Sequence, residues 1–361
     1  MRVLVLTPYR YGEAPGPRSS IELWERVLRP AGITYDYAPF ESDRLHEIIY
    51  EPDHTAAKVT EMLHCYARRV LQLRHLRDYD AVLVYREAAL IGPALLERIV
   101  AARKPIIYQL DDPLYIPYRS PSNGYLSYLK VFGKVGTICR LASVTIVNSR
   151  QHRQYAERFT SSVVEVPSVV DGQEYSYEPR NPRAKPVCIG WSGSHSTKDR
   201  LHEIGDVLAD VSHRDDVTMR FIGSTTFDLP GVAHEARSWN PKTEVEDLRS
   251  FDIGLVPLPT DGWTKRKFYL KLVQYMALGI PAVATPLGSN PDVIQHGVNG
   301  FLARTPADWR RALQRLVDDD QLRSRMGEAA AHTAHARYTL QANADRIIEA
   351  HHSVLSARVG M

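Results

Sequence analysis

Residues 252–303 read DIGLVPLPTDGWTKRKFYLKLVQYMALGIPAVATPLGSNPDVIQHGVNGFLA, and the architecture of the chain is read outward from this stretch. Residues 253–257 form an apolar strand, followed by a loop rich in Lys and Arg. A helix is expected over about 268–277, with Leu270, Val273 and Ala277 near helical spacing and Leu272 and Met276 on its flank. Leu278-Gly279 closes that helix, and Pro281 blocks its continuation. Residues 281–285 make a short buried strand, residues 286–290 a turn, and Pro291-Asp292 opens another helix. A strand feeding a loop and a helix N-terminus is the α/β arrangement that collects phosphate. Free N–H groups and the helix dipole both favour an anion there.

The 361 residues suffice for two ordinary domains, each with a full core. Apolar content of 44% and charged content of 24% are those of a soluble globular protein. No apolar run approaches the roughly 20 residues of a membrane helix, and the start, MRVLVLTP, is too short and strand-like for a signal peptide. Cys65, Cys139 and Cys188 are widely spaced and odd in number, which predicts reduced, buried thiols in a cytoplasmic protein rather than disulfides or a zinc site. A net charge of +3 gives no reason to invoke nucleic acid, although a local basic cluster can meet a nucleotide or an anionic membrane surface.

Three segments, YMALGIPAVA at 275–284, GSN at 288–290 and GVNGFL at 297–302, resemble the nucleotide-sugar signature of the GT-B glycosyltransferases, in particular the retaining group called family 4. That signature carries a Glu, seven residues and a second Glu ahead of the apolar run. Here the second position is Gln274 and the first is Arg266, with Lys265, Lys267 and Lys271 around it. The resemblance implies an α/β chain of GT-B architecture: two Rossmann-like, doubly wound domains facing each other across a cleft. Residues 1–172 would form the acceptor domain and 187–342 the nucleotide-sugar donor domain. The intervening 173–186 is polar and Pro-rich, a linker by composition. The last helix, from about 343 to 361, would pack back on the first domain.

Taken in order, residues 2–6 open the first domain as a buried strand, and the Gly/Pro loop 9–20 precedes a helix at 21–28, as doubly wound domains begin. Gly16 and Arg18 in that loop are candidates for the acceptor side of the cleft. Residues 34–39 are a strand, 53–76 a long helix, and 80–85 a strand with Arg86-Glu87 at its tip. The strand at 105–110 carries Asp111 and Asp112 at its C-terminal tip, where α/β sheets face ligand. This acidic pair can position an acceptor hydroxyl or take its proton, or it can form a salt bridge to a nearby Arg. A helix over 124–141, carrying Tyr125, Tyr128, Leu129 and Phe132 with Arg119, Lys130 and Lys134 nearby, is an amphipathic surface helix or a site of peripheral membrane contact. Ser149 reads as an N-cap.

In the second domain, the strand 187–191 feeds the loop Ser192-Gly-Ser-His-Ser-Thr-Lys-Asp, with the next helix expected over 201–211. By resemblance this loop grips the donor diphosphate: Gly193 allows close backbone approach, Ser194, His195 and Thr197 contribute polar groups, and Lys198 supplies charge. The motif's usual arginine is absent, and His195 or Arg200 would replace it. Thr197 is alternatively only a helix cap. Lys198, Lys267 and Lys271 would stabilise the leaving diphosphate, with Gly288, Ser289 and Asn290 contributing to donor binding and the amides near Gly288 and Ser289 as support. Gln274 would hold the ribose in place of the family's Glu. With Arg266 at the sugar-contacting position, Asp261 is the nearby acid that would take over. Glu87 joins Gly16 and Arg18 on the acceptor side.

The chemistry implied is transfer of a sugar from a UDP or GDP sugar to a small-molecule, saccharide or lipid-linked acceptor. It would be metal-independent and without cofactor, a retaining hexosyl transfer by resemblance; an inverting route with Asp111 or Asp112 as base is the alternative. Two rivals share the scaffold. A catalytically inactive partner subunit is favoured by the loss of both signature acids and opposed by the lysines. A nucleotide-sugar epimerase requires acids that the signature has lost.

Overall fold

The computed structural model describes residues 1–49, 51, 53–118, 124–179 and 186–356, apart from the side chains of residues 125, 126, 128, 195, 196 and 356. Residues 180–185 of the expected linker therefore lie outside the described residues. Contacts divide the chain into Met1–Ser168 with Asn343–Met361 and, separately, Val169–Ala342. Among the described residues no helix is long and apolar enough to cross a membrane.

The first unit is built on parallel strands β1 (Arg2–Thr7), β2 (Thr34–Pro39), β3 (Ala81–Tyr85), β4 (Ile106–Leu110), β5 (Val144–Val147) and β6 (Val163–Glu165), in the order β2-β1-β3-β4-β5-β6. The chain order reverses between β1 and β3, which is where such sheets leave a crevice beyond their strand ends. Val3–Leu6 and the whole of β3 and β4 are buried, because helices cover both faces of a parallel sheet. Arg69, fully buried on the helix Thr55–Gln72, ties the strand ends together. It donates to the carbonyls of Thr7 (3.0 Å), Ala38 (2.6 Å) and Ala88 (2.9 Å). Burial pulls its guanidinium down to about 9. The helix expected over 53–76 ends at Gln72 and continues as a 3₁₀ turn, Leu73–Asp78.

The expected helix over 124–141 is also divided. Gly124–Lys130 is a 3₁₀ turn and Lys134–Leu141 an α-helix, because Val131 takes a left-handed backbone (φ 53°) that breaks the helical ladder. Arg119 and the side chains of Tyr125 and Tyr128, on which the membrane-contact expectation rests, lie outside the described residues. Ser149 caps Arg150–Ala156, accepting from the His152 amide. The C-terminal helix Leu340–Ser356 is anchored in this unit through His351, which is buried against Trp24 and hydrogen-bonded to the Tyr35 hydroxyl at 2.5 Å.

The second unit carries β7 (Val187–Ser192), β8 (Val217–Ile222), β9 (Glu235–Arg237), β10 (Ile253–Val256), β11 (Ala282–Ala284) and β12 (Gly300–Leu302). All pairings are parallel and the order is β12-β11-β10-β7-β8-β9. This is the dinucleotide-fold order, with its reversal between β7 and β10. The sheet's two faces bury different sets: Ile253 and Leu255 pack with Trp309 and Leu313, whereas Val256 and Ala284 pack with Leu272, Val273 and Met276. Each buried Ile, Leu, Val or Met side chain among these contributes roughly 1.5–3 kcal/mol relative to an exposed one. The helix from the opening stretch spans Leu270–Ala277, after a 3₁₀ turn at Thr264–Arg266. It stops where Gly279 takes φ 70°, with the Gly279 amide on Met276 and the Ile280 amide on Tyr275. The helix expected over 201–211 is a 3₁₀ stretch, His195–Ile204, followed by Gly205–Ser212.

Candidate functional site

The second unit's reversal point places the ends of β7 and β10 side by side, and the loops after Ser192 and Val256 open from there. The first is shaped by glycine. A Cβ on Gly193 would collide with the Trp191 ring and lie 2.7 Å from the Lys271 amine. Gly193 donates to the Ile222 carbonyl at 2.9 Å, and its own carbonyl lies against Gly223, whose φ of 137° only glycine adopts readily. Helix Leu270–Ala277 is locked to the same spot. The Tyr275 hydroxyl accepts from the Ser192 amide (2.8 Å), and its ring lies on Gly254. The backbone of the β7 loop, the Trp191 ring and the first turn of that helix thus meet at one point.

Lys271 occupies that point. Its amine lies 4.6 Å from the centroid of the Trp191 ring. Among the described residues no carboxylate or carbonyl pairs with it. Burial first, then the positive charges of Arg200 and Lys267, pull the amine down to about 7, against the weaker attraction of Glu244. The Arg200 guanidinium is stacked over Tyr269, 5.7 Å from the ring centroid, likewise with no ion pair among the described residues. Lys271, Arg200 and Lys267 are thus close enough at these strand ends for their charges to repel one another.

Gln274, one turn further along the helix, is buried, and its amide donates to the Tyr175 hydroxyl at 2.7 Å. That hydroxyl donates to Glu244 (3.1 Å), which also accepts from the Trp239 indole (2.9 Å). The site's acid is therefore Glu244, which begins the helix Glu244–Arg249 rather than the signature itself.

Other expected donor residues serve the loops themselves. Ser194 and Thr197 form a reciprocal cap: the Ser194 amide donates to the Thr197 hydroxyl (3.1 Å), and that hydroxyl returns to the Ser194 carbonyl (3.1 Å). The side chain of His195 lies outside the described residues. Lys198 is partly exposed on the same 3₁₀ stretch and is not among the charges that act on Lys271. The Ser289 amide, expected to support a diphosphate, donates instead to the Lys267 carbonyl (3.2 Å), and the Ser289 hydroxyl accepts from the Tyr269 amide (3.3 Å). Gly288, at φ 58°, packs under the Thr264 and Lys267 carbonyls, and Asn290 is buried with its amide on the Thr285 carbonyl (2.9 Å). Gly288 and Ser289 brace the Thr264–Lys267 loop, and Asn290 holds the turn after β11. Asp261 caps the Thr264–Lys267 loop, accepting from the Thr264 amide (2.6 Å) and hydroxyl (2.9 Å). Arg266 donates to the Gly262 carbonyl at 2.8 Å.

In the first unit, Asp111 and Asp112 are both bound by Arg86. The guanidinium meets Asp111 at 2.7 and 3.0 Å and also pairs with Asp112, while Tyr9 accepts from it at 2.7 Å and Tyr85 donates to Asp111. Burial works to lower the Arg86 guanidinium, but Asp111 and Asp112 hold it well above its ordinary value. Arg86 takes a left-handed backbone (φ 63°) to reach them. Both carboxylates are thus committed to a buried cation rather than presented as free bases, the salt-bridge alternative of the sequence. Gly16 packs on this cluster, 3.1 Å from Arg86 and 3.3 Å from Asp111 as measured from a Cβ placed on it. Arg18 ends the short helical turn Pro15–Arg18 and acts on Glu22. Glu87, expected to face an acceptor, is instead buried between Lys130 (2.8 Å) and Lys134 (2.7 Å). The turn at Arg86 directs it inward.

Sequence reasoning passed over Trp191, Tyr175, Glu244 and Arg86. Their only signals were an aromatic residue just before the Gly193 loop and an arginine just after β3.

Residues 186–319 match the family model for glycosyl transferases group 1. A D-inositol 3-phosphate glycosyltransferase from Corynebacterium jeikeium is 37% identical over 109 residues, 30% of this chain and 25% of that protein. The chain spans about a quarter of the length of the curated relatives it matches first. Among solved structures, sucrose-phosphate synthase from Thermosynechococcus elongatus superposes with a TM-score of 0.73 at 13% identity, covering 99% of each chain. Anabaena HepE in complex with UDP-glucose gives 0.69 at 16% identity, covering 98% of this chain and 100% of that one. Residues 186–319 thus match the model of the glycosyl transferases group 1 family, on a chain that shares the GT-B fold of these structures.

Proposed function

We propose that the protein is a glycosyltransferase that moves a sugar from a nucleoside-diphosphate sugar, a UDP sugar foremost, to an acceptor hydroxyl. The observation that carries this is the Lys271 amine, set against Gly193 and Trp191 at the β7/β10 reversal, unpaired by any acid among the described residues and close enough to Arg200 and Lys267 to be depressed by them. A donor pyrophosphate supplies the missing counter-charge. As the bond from the anomeric carbon to the phosphate oxygen breaks, its electron pair leaves with the diphosphate, which gains one negative charge. Lys271 and Arg200 take up that charge in a site already oriented for it. The Gln274 carbonyl oxygen, whose amide is held by Tyr175, is left to accept from a ribose hydroxyl.

Retention, a metal-independent reaction and no cofactor complete the reading, and the acceptor is a small molecule, saccharide or lipid-linked hydroxyl. The test is calorimetric titration of UDP, GDP and their sugars, with and without EDTA, on the wild type and Lys271→Met, followed by release of nucleoside diphosphate with candidate acceptors. Saturable binding that survives EDTA and is lost in the variant supports the reading. No binding of any nucleotide overturns it. Arg266 and Gln274 in place of the signature's acids favour a second reading, a donor-binding subunit without turnover. Binding with no transfer to any acceptor would select it.

A further inference from the structure

We propose that the exposed face of the helix Thr55–Gln72 is an interface between two copies of this chain, packed antiparallel about Leu63. The helix is turned inside out. Its buried stripe is Lys58, Cys65 and Arg69, of which two are cations. The Lys58 amine donates to the Glu51 carbonyl (2.5 Å), and Arg69 to the carbonyls of Thr7, Ala38 and Ala88. The apolar residues stand on the solvent side. Val59 is 44% exposed, Leu63 62%, Val70 41% and Leu71 50%, with Ala56 and Ala67 exposed between them. At the helical rotation per residue these six fall within about 120° of arc, the width of the stripe that a helix ordinarily turns to a core. Exposed apolar side chains are common singly. A stripe continuous over about four turns marks a contact surface.

The charges at the two ends of the stripe select the partner. Glu51 and Asp53 are exposed just ahead of the helix, and Arg74 and Arg77 just beyond it. None of these four forms an ion pair among the described residues. The remaining charges along the segment are engaged. Glu61 meets Ser42 (2.8 Å) and Arg44 (3.9 Å), Asp78 meets His75 (3.8 Å), and Arg68 donates to the carbonyls of Pro39, Phe40 and Glu41. A twofold contact uses the same patch on both copies, so the patch must complement itself. Antiparallel pairing achieves this, because the acidic end of each helix meets the basic end of the other. Parallel pairing would set acid on acid and base on base. Leu63 lies at the middle of Thr55–Gln72, so a twofold axis there also sets Val59 opposite Ala67 and Val70 opposite Ala56 of the second copy, large against small. An anionic bilayer fits less well, since Glu51 and Asp53 would face its headgroups. Eighteen residues make a helix about 27 Å long, so this face gives an interface of the small, concentration-dependent class.

The test is analytical ultracentrifugation of the purified chain from about 1 to 200 μM, where the wild type should pass from monomer to dimer. Leu63→Arg changes an exposed side chain, so circular dichroism should show the fold intact. It places two guanidinium groups face to face at the axis and should weaken dimerisation at least about tenfold. Arg74→Glu/Arg77→Glu sets acid against acid and should weaken it about three- to tenfold. Adding Glu51→Lys/Asp53→Asn to that chain should recover most of the loss; Asn suits the left-handed backbone at Asp53 (φ 68°). A wild type that stays monomeric throughout overturns the proposal, as does a dimer that Leu63→Arg leaves unchanged. Loss in Leu63→Arg without any response to the charge changes overturns the antiparallel arrangement. A monomer that sediments with phosphatidylglycerol vesicles, and ceases to in Leu63→Arg, assigns the face to lipid and overturns the proposal. Should Leu63→Arg not fold, the charge reversal and its recovery decide.

Discussion

Lys271 makes the proposed donor site sensitive to pH in a way that can be worked out in advance. Its amine, about 7 in the free protein, is depressed by burial and by Arg200 and Lys267 from an ordinary value of 10.5. A pyrophosphate restores the charged form, so binding takes up a proton whenever the free amine is neutral. Near pH 8 about one molecule in ten carries the charge, and from there the apparent affinity should fall about tenfold per pH unit, or about 1.4 kcal/mol. UDP-glucose is the right probe, since its esterified pyrophosphate does not titrate between pH 6 and 9. Calorimetry over that range, in buffers of different ionisation enthalpy, should show flat affinity below pH 7 and uptake approaching one proton above it. Lys271→Met should bind weakly at all pH and lose the slope. The sign for stability is opposite. Between 7 and 10.5 the unfolded chain holds more protons on this group, so the ligand-free protein should gain stability as pH rises through that window. A wild-type affinity independent of pH from 6 to 9, or the same slope in Lys271→Met, would refute the reasoning.

Further outcomes are expected. Gly193→Ala drives a methyl into Trp191 and the Lys271 amine, so donor binding should drop by at least about tenfold, read by calorimetry, with destabilisation in the 1–3 kcal/mol range of overpacking. Restoring the family acid with Gln274→Glu should destabilise rather than improve the site, because the single Tyr175 proton cannot serve two carboxylates. A loss of about 1–3 kcal/mol in urea unfolding is expected, and Glu244→Gln in the same chain should recover it. His351, buried and hydrogen-bonded to Tyr35, is lowered by burial from 6.5 to about 4. As pH falls from 6.5 to 4 the unfolded state takes the proton first, so about 3 kcal/mol should be lost across that window, and less in His351→Gln, by chemical denaturation at each pH. Arg69→Met strands the carbonyls of Thr7, Ala38 and Ala88, and equilibrium unfolding should show a loss of at least about 2 kcal/mol.

The sequence by itself determined the local path of the chain. The β10–helix–β11 run was legible because its causes are local: apolar spacing places Leu272, Val273 and Met276 inward, and Gly279 and Pro281 terminate the helix within a few residues. The cap at Ser149 was legible for the same reason, since the donor lies three residues away. That Gly193 and Lys271 lie beside strand ends was legible too, since each sits within a few residues of a strand or helix boundary, and the structure brings the two together.

Tertiary structure alone decided what each polar group is free to do. Asp111 reads in the sequence as an acceptor contact or a salt bridge, and Arg86, 25 residues earlier, decides for the salt bridge. Gln274 reads as a weakened Glu until Tyr175, 99 residues away, links it to Glu244 and moves the site's acid to another helix. Ser289 and Asp261 read as ligand contacts, and folding sets both against the loop they support. Periodicity and turn chemistry are short-range and survive in the linear text. Hydrogen-bond and charge saturation depend on which residues meet after folding, and the strand order β12-β11-β10-β7-β8-β9 is what brings Lys271, Trp191 and Arg200 to one unpaired site.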